Sequence, residues 1–78
     1  MNHNPITPHD HILRTYTEPE VTALLRELHE IGRQFGIQWG SAAVNGHTIE
    51  GRLLIDFGHA SVATLLNLLT LLRETARR

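Results

Sequence analysis

Six histidines in a chain of 78 residues are the side chains best suited to chemistry near neutral pH. They are His3, His9, His11, His29, His47 and His59. Their spacing matches neither the H-E-x-x-H helix of zinc proteases nor any paired-cysteine zinc pattern, and the chain has no cysteine. His9-x-His11, placed on a strand, would aim two imidazoles to one side, two ligands where a metal needs at least three. A free amino terminus with His3 in third position offers the planar nitrogen set preferred by Cu(II) or Ni(II), but any chain starting this way offers the same. His3, His9 and His11 are thus weak metal candidates, and no cofactor is expected.

Two carboxylate–imidazole pairs, Asp56 with His59 and Glu50 with His47, have the residue types for acid–base work. Asp56 and His59 bracket Phe57-Gly58 where a strand is expected to meet a helix. The simpler expectation is that Asp56 caps helix amides and His59 sits in a solvated first turn. Neither Ser41 nor Ser61 has a nucleophile-elbow context, and no glycine-rich phosphate loop is present. Nothing in these motifs specifies an enzyme. All seven basic residues are arginine, and Arg73, Arg77 and Arg78 cluster at the end of the chain. They complement a helix dipole, or, brought together in a dimer, make a basic patch for nucleic acid. Arg52 near Trp39 would extend such a surface by stacking. A net charge of -1 lacks the footprint of a general nucleic-acid binder.

The elements that must position these residues follow from periodicity and caps. Residues 1–8 read as a polar, proline-containing flexible arm, and 9–78 as a single domain. Ile12 to Tyr16 alternate weakly and suggest a short edge strand. Thr17-Glu18-Pro19-Glu20 has the form of a capping box, with Tyr16 and Val21 placed as a hydrophobic staple. Val21, Leu24, Leu25, Leu28, Ile31 and Phe35 then recur at helical spacing as one stripe, and Gly36 is the expected left-handed cap. A hairpin from Ile37 to Phe57 is predicted to turn at Asn45-Gly46 through a three-residue loop. That register sets Ile37 across from Leu53 and Trp39 across from Gly51, and gives Ile37, Trp39 and Ala43 the inward face.

The last helix carries the heaviest apolar load. At about 100° per residue, Val62, Leu65, Leu69, Leu72 and Ala76 form the stripe expected to pack, with Leu66 and Leu68 flanking it and Leu71 further round. The apolar arc spans roughly 220°, against the ~100° of an ordinary surface helix. Packing on a small sheet would leave Leu71, and either Leu66 or Leu68, uncovered. The expected fold is α+β, a (β)αββα two-layer sandwich with two helices on one face of a small antiparallel sheet. Such a short chain buries a thin core, and without disulfides or a metal the usual remedy is oligomerisation. The sequence therefore predicts a homo-oligomer, a dimer before larger forms, joined through Leu65, Leu66, Leu68, Leu69, Leu71 and Leu72. The expected role is non-enzymatic: binding a protein partner as adaptor, regulator or inhibitor, with Trp39, Arg52, Asp56 and His59 as candidate contacts. A nucleic-acid-binding dimer using the terminal arginines is the alternative. A small enzyme or ligand binder near Asp56 and His59 at a subunit interface is another. No apolar run reaches the roughly 20 residues of a membrane span, and a soluble cytoplasmic setting is the default.

Overall fold

A computed structural model describes residues 4–49 and 51–77, with the backbone alone for 46–49. The order is a 3-10 helix His11–Thr15, helix α1 Glu18–Arg33, strands β1 Ala43–Ile49 and β2 Arg52–Asp56, and helix α2 Val62–Ala76. This is the expected α+β class, with β1 and β2 forming one two-stranded antiparallel sheet. Helix α1 packs against β1, and the 3-10 helix against β2. The predicted edge strand at Ile12–Tyr16 is therefore wrong. Asp10 accepts the Ile12 N–H at 3.1 Å and Thr15 Oγ1 donates to the Ile12 carbonyl at 2.7 Å, so local side-chain bonds wind this segment instead. His9 and His11 consequently do not share a strand face.

Helix α1 begins as its sequence predicts. Thr17 Oγ1 accepts the Glu20 N–H at 3.4 Å, and Glu20 Oε1 accepts both the Thr17 N–H at 3.0 Å and its hydroxyl at 2.8 Å. These bonds hold the Glu20 carboxyl below its ordinary value of about 4.5. A depressed carboxylate stabilises the fold above its unfolded-state value, and that stability is lost as pH falls through the folded-state value. Thr17→Ala is expected to lower stability by about 1 kcal/mol in urea titrations at pH 7. The gap between wild type and variant should narrow without closing as the pH falls through the lowered Glu20 value. Protonation weakens the bond from the Thr17 hydroxyl to the carboxylate, while the bond from the Glu20 N–H to Thr17 Oγ1 remains.

The C-terminal end of α1 determines where the core lies. Gly36 takes the left-handed conformation, φ +73°. Its N–H bonds the Arg33 carbonyl at 3.2 Å, and the Ile37 N–H reaches back to Gly32 at 2.9 Å, the paired bonds of a Schellman motif. The motif delivers Ile37 inward, 4% exposed, and Leu25 is the other buried apolar side chain among the described residues. A Cβ at Gly36 would collide with the Asn67 side-chain amide of α2. Gly36→Ala should therefore cost about 2 kcal/mol or more, read as a lower urea midpoint. Asn67→Ala in the same background should relieve part of that loss.

The hairpin departs from the predicted register. Val44 pairs with Ile55 and Asn45 with Leu54, then Thr48 with Leu53 and Ile49 with Arg52, so the chain reverses beyond Ile49 and not at Asn45-Gly46. Gly51 there adopts φ +80°. Asn45-Gly46 does not turn the chain; Gly46 and His47 lie where the ladder slips, as extra residues of a bulge. Val44, opposite Ile55, takes the inward position that the predicted register gives to Ala43. Ile37 and Trp39 lie outside the strands altogether. Trp39 instead packs on Phe57, ring centroids 5.2 Å apart at 48°. A Cβ built on Gly51 would meet the Arg14 side chain, not the predicted indole.

Helix α2 attaches to the body through the segment that follows α1. Ser61 caps it, its Oγ accepting the Thr64 N–H at 3.2 Å. Thr64, 3% exposed, accepts the Gln38 N–H at 3.1 Å and donates to the Gln38 carbonyl at 3.0 Å. One hydroxyl thus satisfies both backbone groups of a residue that a strand partner would otherwise have paired. Asn67 Nδ2 donates to the Gly36 carbonyl at 2.8 Å.

Candidate functional site

The seating of α2 divides its apolar arc in two. Thr64 is buried, and Leu68 and Leu71 are half-buried beside it. On the helical wheel these three lie within about 60° of one another. The stripe predicted to pack, Val62, Leu65, Leu69 and Leu72, begins about 80° round from Thr64 and points outward. Val62 is 70% exposed and Leu65 61%, and Leu66, Leu69 and Leu72 are exposed with them. Leu71, expected to stay uncovered, sits on the packed face. The leucine surplus is real, but its two halves exchange places.

A second apolar strip lies on α1. Its predicted stripe is split in the same way: Leu25 is buried and Val21 half-buried, while Leu24, Leu28, Ile31 and Phe35 are exposed. Leu24, Leu28 and Ile31 follow the 4-3 spacing that keeps residues on one face of a helix, and Phe35 continues it in the turn just past the helix end. These strips, together with the exposed arm, enlarge the surface of the whole chain. Its accessible surface is 6596 Å², whereas a folded monomer of 8.8 kDa exposes about 4,800 Å². The radius of gyration is 14.0 Å, against about 11.5 Å for a compact chain of this length.

The remaining sequence candidates do not converge on one site. Asp56 Oδ1 accepts the Gly58 N–H at 2.8 Å, closing the turn after β2 and not capping α2, whose cap is Ser61. His59 is exposed. Arg52 extends from β2 to the N-terminal arm, where Nη1 donates to the Pro8 carbonyl at 2.7 Å and lies 3.3 Å from His9 Nδ1. That contact holds the arm beside an apolar cleft of about 230 Å³ lined by Leu13, Tyr16, Val21, Leu24, Leu53 and Ile55, with Ile6 at its edge. Among the described residues no three histidine or carboxylate side chains gather as a metal site. His3 and Arg78 lie outside the described residues, as do Glu50 and the His47 side chain. Arg73 falls in the last turn of α2 and Arg77 at its C-cap, where both complement the helix dipole. No helix is long and apolar enough to cross a membrane among the described residues.

Sequence reading misses three features: Thr64, Asn67 and the outward strip of α1. The two polar residues interrupt a leucine-rich helix on one side, and that interruption is the available signal for its docked face. Comparison with protein family models, with curated proteins and with solved structures finds no match to this chain.

Proposed function

We propose that the chain is a small, cytoplasmic, non-enzymatic module that self-associates through the outward strip of α2 and, so assembled, binds a protein partner as an adaptor, regulator or inhibitor. The observation that carries this reading is the open strip Val62, Leu65, Leu66, Leu69 and Leu72 on a chain exposing about 1,800 Å² more than its mass calls for. An apolar patch of that kind marks an interface. Burying each of these half-exposed side chains contributes about 1 kcal/mol, so the strip contributes about 5 kcal/mol. Association opposes it with about 4 kcal/mol or more. The α2 strip alone therefore supports a weak assembly, and a stable one recruits further surface.

Sedimentation equilibrium of the wild-type chain across a dilution series tests the reading. It expects twice the chain mass at micromolar concentration, with dissociation on dilution. A single species at the mass of one chain throughout that range would overturn it.

A further inference from the structure

Resting on that self-association, we propose that the second copy covers both open strips at once: α1 of each copy lies antiparallel against α2 of the other, in two seams related by a two-fold axis. Area is the first reason. Helix α2, 15 residues, is about 22 Å long, and half its lateral surface is about 400 Å². A standard interface buries about 800 Å² on each partner. The open side of α1, 16 residues, supplies a similar amount, and the two together reach that figure. A seam made of α2 alone reaches half of it.

Spacing is the second reason. Leu24, Leu28, Ile31 and Phe35 step by four, three and four along α1 and the turn that follows it. Read backwards, Leu72, Leu69, Leu65 and Val62 step by three, four and three along α2. Strips with this alternation mesh as knobs into holes when two helices run side by side. In the antiparallel pairing Leu28 meets Leu69 and Ile31 meets Leu65.

Charge is the third reason, and it chooses the partner helix. Glu20 and Glu27 border the α1 strip on its outer side, and Arg73 and Arg77 border that of α2. Glu27, Arg73 and Arg77 form no side-chain bond among the described residues. Antiparallel packing lays Glu20 and Glu27, in the first and middle parts of α1, beside the last half of α2 from the other copy, with Arg73 and the C-cap Arg77. Charges flanking an apolar seam select partner and direction in this way. Packing α2 on α2 offers no such match, because α2 carries no carboxylate before Glu74. Isologous geometry then repeats each contact twice.

The chain has no cysteine, so single-cysteine variants report the pairing directly. L28C and L69C, one of them isotopically labelled, are mixed, allowed to exchange, and joined by oxidation or a short thiol-reactive cross-linker. The products are then weighed by mass spectrometry. The mixed product should exceed either like-with-like product severalfold. A dominant L69C–L69C product would overturn the proposal while leaving self-association standing. So would a dimer giving no mixed product. A wild-type chain that sediments as a monomer would remove both. Surface charge reversals, which do not disturb the core, give an independent reading. E27R and R73E should each weaken association about tenfold, and the double variant should return to within about threefold of wild type. A double variant as weak as the product of the two single effects would overturn the seam.

Discussion

Leu65→Glu is expected to yield a folded chain that no longer associates. Leu65 is 61% exposed, so its replacement removes almost nothing from the fold of a single copy. It lies in the first turns of α2, where a carboxylate also complements the positive end of the helix dipole. In the assembled state the same carboxylate would be buried in a leucine seam without a partner, once in each copy. Association should weaken at least about a thousandfold. Sedimentation equilibrium would show a monomer at concentrations where wild type is paired, and circular dichroism would show its helix content kept. Leu71→Glu makes the contrast. Leu71 is half-buried on the docked face, so that variant should lose the fold of α2 as well as the assembly. If Leu65→Glu stayed fully paired, the outward strip would not be the interface.

The second large effect falls on a polar residue. Thr64→Val keeps the shape of the side chain and removes the hydroxyl that meets both the N–H and the carbonyl of Gln38. With Thr64 3% exposed, water cannot replace it at that site. Each stranded backbone group costs about 1–3 kcal/mol, so the expected loss for the two is about 2–6 kcal/mol. Against the few kcal/mol that a core of this size supports, that is a large share. Trp39 adjoins Gln38 in sequence and packs on Phe57, which makes its fluorescence the natural probe in urea titrations. Thr64→Ser, which retains the hydroxyl, should lose distinctly less. Equal losses for valine and serine would mean that packing, not hydrogen bonding, holds this point.

These two variants also show what was legible in the sequence. The start of α1 was, because a capping box is made by residues within a few positions of one another. The glycine cap at Gly36 was legible for the same reason. The hairpin register was not. Asn45-Gly46 is a strong local turn signal, yet what decides the pairing is remote: Gln38 finds its partner in Thr64, 26 positions away, and so leaves the sheet. With Ile37 to Trp39 diverted, the ladder runs instead from Ala43 opposite Asp56 to Ile49 opposite Arg52. In α2 the leucines gave the width of the apolar arc and hence the surplus. They could not say which end of the arc meets the body, because the centre of the docked face is a threonine. Periodicity of apolar residues points away from it. The exposed leucine strip does lie on the helix expected to carry it, with Leu65, Leu66, Leu69 and Leu72 outward and, against expectation, Leu68 and Leu71 turned in. Its proposed complement on α1 was hidden, because a stripe of six apolar residues reads as core until the structure shows how little there is to cover it.

The way α2 is fastened has a consequence for motion within the native state. Among the described residues, its side-chain hydrogen bonds beyond its own Ser61 cap all end on Gly36 and Gln38. An element tied at so few points opens as a unit, at a free energy below that of global unfolding. In amide hydrogen exchange, α2 should therefore lose its protection before α1 in dilute solution. Raising the protein concentration should slow that exchange if the partner copy clasps the helix. Exchange in α2 that is as slow as in α1 at every concentration would mean that this helix is held more firmly than its three side-chain bonds imply.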